Sequence, residues 1–103
     1  FRVTHSMEEA FEGADVVYPK SWGCLDLFAR PEESLRLGEA YRSWICDEQR
    51  MALARPSSLY MHCLPADRGQ EVSDAVIDGL HSVVYDEAEN RLHTCKALMA
   101  ALM

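Results

Sequence analysis

The sequence lacks long apolar runs, and none approaches the ~20 residues that a helix needs to span a bilayer. It is also poor in basic residues, with 10 Lys and Arg against 17 Asp and Glu and a formal net charge of −7. Because binding to nucleic acid depends on neutralising phosphates with Lys and Arg, this balance argues against a nucleic-acid partner. An anionic ligand would need a local cluster of basic side chains instead.

The sequence has no CxxC pair, and its cysteines stand far apart at Cys24, Cys46, Cys63 and Cys95. That spacing predicts reduced thiols in a cytosolic protein rather than a disulfide framework. A zinc site built from His62, Cys63, His93 and Cys95 is disfavoured, because adjacent ligands such as His62 and Cys63 seldom face one metal. We therefore expect no metal site.

No internal repeat or low-complexity segment occurs, which argues against a solenoid and a disordered tail. A length of 103 residues suits one domain or part of one. Phe1 is not an initiator Met, and nothing near it resembles a signal peptide. We therefore expect the chain to be part of a longer protein.

Three short runs rich in β-branched and aromatic residues, at 15–18, 59–63 and 82–85, predict buried strands. Helices are predicted between them. Ser6 is placed to cap the first helix, and Gly13 to end it. Strands that alternate with helices predict an α/β fold: a three-layer open parallel sheet with helices on both faces.

The remaining helices have recognisable first residues. Pro31 suits the first turn of one helix, and Asp47 can cap another over residues 48–54. A short capped helix is predicted within 73–79, and a last helix over about 87–103. The last helix carries an apolar stripe on one face, made of Ala88, Leu92, Cys95, Met99 and Leu102.

Three basic residues follow the three predicted strands: Lys20, Arg68 and Arg91. Parallel strands present their carboxyl ends at one edge of the sheet, which is where open α/β sheets bind ligands. A cationic cluster at that edge suits a phosphate or a carboxylate. Arg91 is predicted in the first turn of the last helix, where the helix dipole disfavours a cation. An external anion or a neighbouring acid, Glu87 or Glu89, would compensate for this.

Simpler interpretations of these residues stay open. Lys20 and Arg68 could be solvated loop charges, Trp22 a buried anchor, and Cys63 an inert thiol. Strand alternation points His62 and Cys63 to opposite faces, which disfavours a Cys–His nucleophile pair.

Two long motifs carry a family resemblance. The run HCLPADRGQEV at 62–72 and the run SVVYDEAENRLH at 82–93, followed by KAL at 96–98, closely resemble the C-terminal third of transcarbamylases of the ornithine type. The resemblance covers nearly the whole chain. It implies transfer of a carbamoyl group from carbamoyl phosphate to an ornithine-like amine, without metal or organic cofactor. It also implies a cytoplasmic homotrimer, or an assembly of trimers, with active sites shared between subunits.

The resemblance also implies roles for single residues. His62, Cys63, Leu64 and Pro65 would line the substrate pocket, with backbone groups at Cys63 and Leu64 holding the carbamoyl amide. The Cys63 side chain would lie near the incoming amine, and Arg91 of the ENR motif would bind carbamoyl phosphate. Cys63 and Arg91 are therefore the expected catalytic residues.

Two loops differ in the substrate that they indicate. The loop YPKSWG at 18–23 is similar to the branch with a knotted backbone that uses N-acylated ornithines or unassigned substrates, which makes Lys20 and its neighbour Trp22 expected substrate-binding residues. The loop after His62, which carries Arg68 as a further expected substrate-binding residue, lacks the paired arginines and the lysine of acylornithine enzymes. It resembles the plain ornithine type, so the amine stays open.

The family's carbamoyl-phosphate domain, with its Ser-Thr-Arg-Thr and His-Pro motifs, is absent from these residues. Residues 1–103 are therefore expected to be a single partial domain, the C-terminal segment of the amino-acid-binding domain, inactive alone. The family's last helix packs onto the other domain, so the apolar stripe is expected to be partly exposed. The alternative is a non-catalytic ligand-binding or regulatory α/β module on the same scaffold.

Overall fold

Two short parallel strands form the centre of the fold, β1 (Val16–Val17) and β2 (Leu59–Tyr60), with Val17 opposite Tyr60. The structure is a computed structural model that describes the backbone of residues 1–103 and all side chains except that of Leu25. The parallel sheet and its helices confirm the predicted α/β class. A knotted backbone stays a prediction.

The prediction of a third strand at 82–85 is wrong. Only Ser82 makes a parallel bridge, to Tyr60, on the edge of β2 that faces away from β1. The last helix, α5 (Val84–Leu102), begins three residues before its predicted start at 87. Each residue that joins an existing helix gains a backbone hydrogen bond, which outweighs the strand preference of a β-branched residue here.

Within the described residues the other helices are α1 (Met7–Phe11), α2 (Pro31–Ala40), α3 (Glu48–Met51) and α4 (Asp74–Ile77), with a 3-10 turn at Leu25–Leu27. The predicted caps are confirmed, because Ser6, Asp47 and Ser73 each accept a hydrogen bond from the amide three residues later. Pro31 is the first residue of α2, as predicted.

The core is small and lies between the sheet and the short helices, with α1 packed on α3 and α3 on α4. Its buried apolar side chains are Phe11, Val17, Cys46, Met51, Ala54, Tyr60, Val72, Val76, Ile77 and Val84. Burial raises the pKa of the Cys46 thiol to about 12. At neutral pH this cysteine is therefore a packed thiol and not a nucleophile.

α5 leaves the body of the fold after its first turn, and every residue from Ala88 to the end of the chain is exposed. The apolar stripe is therefore open along its whole length, with Leu92 60%, Met99 55% and Leu102 78% exposed. The expected exposure of this stripe is confirmed. None of the described helices has the length and apolar composition that a membrane crossing requires.

We expect this stripe to drive self-association of the chain. Replacing Leu92 and Met99 together with Glu should raise the dissociation constant by about tenfold or more, because each buried Leu or Met side chain contributes about 1.5–3 kcal/mol. Sedimentation velocity over a concentration series measures the effect. Leu80→Glu, at a fully exposed leucine outside α5, is the control. A wild-type chain that sediments as a monomer at every concentration would contradict this expectation.

Candidate active site

β2 leads into a bent loop, residues 62–65, which is called the HCLP loop below. Leu64 has φ 50°, and the Leu64–Pro65 peptide bond is cis. The amide of Leu64 donates to Nδ1 of His62 at 3.0 Å, which ties the bend to the strand end. A positive φ at a leucine costs about 1–3 kcal/mol and persists only where the surroundings impose it, most often at functional sites.

The His62 ring is buried and faces Glu71 rather than Cys63. Because Nδ1 accepts the Leu64 amide, the ring proton of the neutral imidazole belongs on Nε2. Nε2 lies 3.2 Å from Oε1 of Glu71, but the angle is too poor for a hydrogen bond. Cys63 is exposed, so the two side chains point apart as strand alternation predicts. The structure therefore contains no Cys–His nucleophile pair at this loop.

Glu87, in the first turn of α5, joins the ends of both strands. One carboxylate oxygen accepts from the Tyr18 hydroxyl at 2.7 Å, and the other accepts from the backbone amide of His62 at 3.0 Å. A carboxylate is favoured at this position by the helix dipole. The contact confirms that the segments after the three predicted strands meet at one edge of the sheet.

The same carboxylate changes the chemistry of its neighbour Tyr18. Mainly through the hydrogen bond that it accepts, Glu87 raises the pKa of the Tyr18 phenol to about 12. Cys63 lies close enough to add to this rise. At physiological pH the phenol is therefore protonated and donates to Glu87, beside the exposed Cys63 thiol.

Arg91 lies about two turns into α5, and not in its first turn as predicted, because the helix starts earlier. Neither acid that was expected to pair with it does so: Glu87 is bound to the strand ends, and Glu89 approaches His93 at 3.2 Å. Among the described residues Arg91 forms no ion pair. It shares a helix face with Glu87, one turn further from the strand ends.

Arg68 is bound to two carboxylates of the α4 region. Its guanidinium contacts Asp78 at 2.6 and 2.8 Å and Asp74 at 2.8 Å. This fork holds the segment after the HCLP loop against α4. The structure therefore places Arg68 in an ion-pair cluster, and its substrate-binding role stays a prediction.

This cluster predicts a specific acid sensitivity. Arg68 holds the pKa of Asp78 below its ordinary value, so the stabilisation is present above that value and is lost as the pH falls through the lowered pKa. As the pH falls, the free energy of unfolding should therefore decrease less in Asp78→Asn than in wild type. The difference should be small, because the pair is exposed. Circular dichroism at pH 2–6 measures it, with Asp26→Asn as the control. Identical acid limbs for wild type and Asp78→Asn would contradict the expectation.

Lys20 and Trp22, on the loop after β1, line a cavity of about 400 Å³ that none of residues 62–65 enters. Trp22 is half-buried and stacks on Tyr41 with ring centroids 6.3 Å apart. Tyr41 and Trp44 form a T-shaped pair with ring centroids 6.1 Å apart. The predicted site residues therefore fall into two neighbouring groups. One lines the cavity, and the other, residues 62–65, follows the end of β2, whereas Arg68 is held against α4.

The sequence interpretation missed the roles of three residues: Tyr18, Glu71 and Glu87. Tyr18 appeared only as the end of a strand, Glu71 as part of a motif, and Glu87 as a partner for Arg91. The contacts of Tyr18 and Glu87 join distant parts of the chain, so no local signal identifies them, whereas Glu71 contacts Asp67 and His62 nearby in the sequence. Among the described residues, no three His, Cys, Asp or Glu side chains gather where they could hold a metal ion.

Comparisons with known proteins agree with one another. The family model for the aspartate/ornithine carbamoyltransferase Asp/Orn binding domain matches residues 1–102. An N-acetylornithine carbamoyltransferase from Xanthomonas campestris is 45% identical over 102 residues, covering 99% of this chain and 30% of the relative. An ornithine carbamoyltransferase from Methanothermobacter thermautotrophicus is 49% identical over 102 residues, covering 99% of this chain and 33% of the relative.

A solved structure shares the fold. The crystal structure of an N-acetyl-L-ornithine transcarbamylase mutant with carbamyl phosphate and N-succinyl-L-norvaline matches with a TM-score of 0.83 and 45% identity, covering 97% of this chain and 30% of that one. The chain thus spans about a third of the length of these relatives. Since the family model matches all but its last residue, the chain belongs to the aspartate/ornithine carbamoyltransferase family, within the Asp/Orn binding domain.

Proposed function

We propose that the longer protein transfers a carbamoyl group from carbamoyl phosphate to the amino group of ornithine or an ornithine-like amine. This chain supplies the amino-acid-binding part. The proposal is carried by the cluster at the strand ends, where Glu87 holds Tyr18 and the bent HCLP loop together and Cys63 is exposed beside them. Relatives named for ornithine and for N-acetylornithine support this class of amine.

The transfer forms a C–N bond and breaks the bond between the carbamoyl carbon and a phosphate oxygen. The amine nitrogen attacks the carbonyl carbon and loses a proton, and inorganic phosphate leaves with the electron pair. Negative charge builds on the carbonyl oxygen and on the departing phosphate. Catalysis therefore needs fixed donors and a cation at those positions, together with an amine held in attack geometry.

The HCLP loop suits the carbamoyl end of this reaction. The carbonyl oxygens of Cys63 and Leu64 accept no backbone hydrogen bond among the described residues, so they are open to the carbamoyl NH₂ group. The Leu64 amide donates to His62, which fixes the direction of the Cys63 carbonyl in the same peptide group. In this proposal the Cys63 side chain lies near the incoming amine and Arg91 binds the phosphate of carbamoyl phosphate.

We further propose a cytoplasmic homotrimer with active sites shared between subunits. Four free cysteines, at Cys24, Cys46, Cys63 and Cys95, support a reducing compartment. The apolar stripe on α5 supports association, either with a further part of the longer protein or with a second subunit.

A carbamoyl-transfer assay tests the proposal. The longer protein should form a ureido product from carbamoyl phosphate and either L-ornithine or N-acetyl-L-ornithine. Lys20→Ala should raise KM for the amine by about tenfold, because the loss of one charge-assisted contact costs about 1.5 kcal/mol, with KM for carbamoyl phosphate unchanged. An effect confined to carbamoyl phosphate would refute the assignment of Lys20. A protein that binds both substrates and forms no product would be the non-catalytic module instead.

A further inference from the structure

Glu71 is a buried acid that contacts both the HCLP loop and the segment just after it. Its side chain is 3% exposed, and the His62 ring beside it is 1% exposed. The backbone carbonyl of Glu71 accepts from the Cys46 amide at 2.8 Å, which anchors the residue to a segment outside the loop. Burial of a carboxylate is costly, and an apolar side chain of similar volume is often the more stable choice. The acid at this place therefore calls for a role other than stability.

The Glu71 carboxylate acts on two points of the bend. Its Oε1 accepts from the Asp67 amide at 2.8 Å and lies 3.2 Å from Nε2 of His62. A negative charge at that place favours the tautomer whose ring proton is on Nε2. The other nitrogen, Nδ1, then keeps the lone pair that accepts from the Leu64 amide at 3.0 Å. The charge of Glu71 thus selects the tautomer that the bend requires.

The bond from the Leu64 amide to His62 also sets the direction of the Cys63 carbonyl. The peptide group between Cys63 and Leu64 is trans and planar, so its C=O points opposite to its N–H. Because the N–H points at the His62 ring, the Cys63 carbonyl points away from that ring. It accepts no backbone hydrogen bond among the described residues. A chain of contacts therefore leads from the buried charge of Glu71 to an open acceptor of the loop.

We propose that Glu71 is a positioning residue that acts through the His62 ring: it aims the Cys63 carbonyl and so sets the preference for carbamoyl phosphate over an acyl phosphate of the same size. The inference rests on the proposed function and deepens it, because it assigns the selectivity for the group that is transferred. Acetyl phosphate has a methyl group where carbamoyl phosphate has NH₂, so it leaves the aimed carbonyl without a donor. A carbonyl that is held less firmly distinguishes the two ligands less well.

Titration calorimetry of the longer protein with each acyl phosphate, in the absence of any amine, tests the inference. Wild type should bind carbamoyl phosphate about tenfold more tightly than acetyl phosphate, the ratio that one well-placed hydrogen bond provides. Glu71→Gln keeps the shape of the side chain and the acceptor for the Asp67 amide but removes the charge. It should lower the ratio by about threefold or more, through weaker binding of carbamoyl phosphate alone.

Met51→Ala is the control for a loss of stability. It removes buried volume from α3 and destabilises the fold, but it should leave the ratio unchanged. Equal binding of the two acyl phosphates by wild type would overturn the inference, and so would a Glu71→Gln variant with the wild-type ratio. A protein that prefers carbamoyl phosphate but forms no ureido product would refute the proposed function and leave this inference standing.

A double variant shows whether Glu71 acts through His62. The oxygen of an Asn side chain accepts from the amide two residues further along and has no tautomer to select. His62→Asn should therefore keep the preference for carbamoyl phosphate, and adding Glu71→Gln to it should not change the ratio. A further fall of the ratio in the double variant would show that Glu71 acts by another route and would overturn the inference.

Nitrogen NMR of the longer protein, isotopically labelled at histidine, reads the tautomer directly, and His62→Asn identifies the signal. In wild type the His62 proton should be on Nε2. His81 should show the opposite tautomer, because its Nδ1 lies 2.8 Å from the Ser58 carbonyl oxygen, which can only accept. A His62 proton on Nδ1 would overturn the inference. This measurement on wild type decides if Glu71→Gln does not fold.

Discussion

Replacing Arg91 with Ala is expected to lower kcat/KM for carbamoyl transfer by about 100- to 1000-fold, the usual cost of removing one charge-stabilising group from an acyl-transfer site. Within the described residues Arg91 has no ion-pair partner, and it lies one helical turn from the carboxylate that joins the strand ends. Its guanidinium is therefore available for a phosphate anion. Steady-state kinetics of the longer protein, with carbamoyl phosphate varied at saturating amine, measures the loss.

Two variants sharpen this test. Arg91→Lys keeps the charge but loses the two-pronged geometry that matches phosphate, so it should recover only part of the rate. Lys96→Ala removes a cation from another face of the same helix and should leave the rate within about twofold of wild type, as surface substitutions usually do. A near-normal rate for Arg91→Ala would exclude a role in binding the phosphate.

Replacing Glu87 with Ala is expected to destabilise the chain by about 1–3 kcal/mol, because the buried amide of His62 then loses its only acceptor among the described residues. Tyr18 loses its acceptor in the same step. Urea unfolding at pH 7 measures the change in the free energy of unfolding. Glu87→Gln retains an oxygen acceptor and should be affected less.

The same substitution has a spectroscopic consequence. The pKa of Tyr18 should fall from about 12 towards its ordinary value of 10.0 when the carboxylate is removed. A raised pKa in the folded state stabilises the fold fully below pH 10, and this stabilisation is lost as the pH rises through 12. Wild type should therefore resist alkali better than Glu87→Ala across that window.

Phenolate absorbance near 295 nm follows this titration, with Tyr18→Phe identifying which of the four tyrosines is responsible. An unchanged urea midpoint together with an unchanged phenolate titration in Glu87→Ala would show that Glu87 does not hold the strand ends together.

Local signals predicted most of the elements but not all of their limits. The caps at Ser6, Asp47 and Ser73 were confirmed because each depends on one side chain and an amide three residues away. The strand at 82–85 was wrong because Val84 and Tyr85 suit both a strand and a helix. The position of Arg91 within α5 followed the same error.

The sequence by itself determined the α/β alternation, the capped starts of α1, α3 and α4 and the candidate site loops, because side-chain periodicity and capping act over a few residues. Only the tertiary structure decided that Glu87 joins Tyr18, 69 positions away, to the amide of His62, 25 positions away. It also decided that Arg68 faces two carboxylates and that the buried side chain of Glu71 lies against the His62 ring. Such contacts depend on how the packed elements meet, and burial then fixes which donor reaches which acceptor.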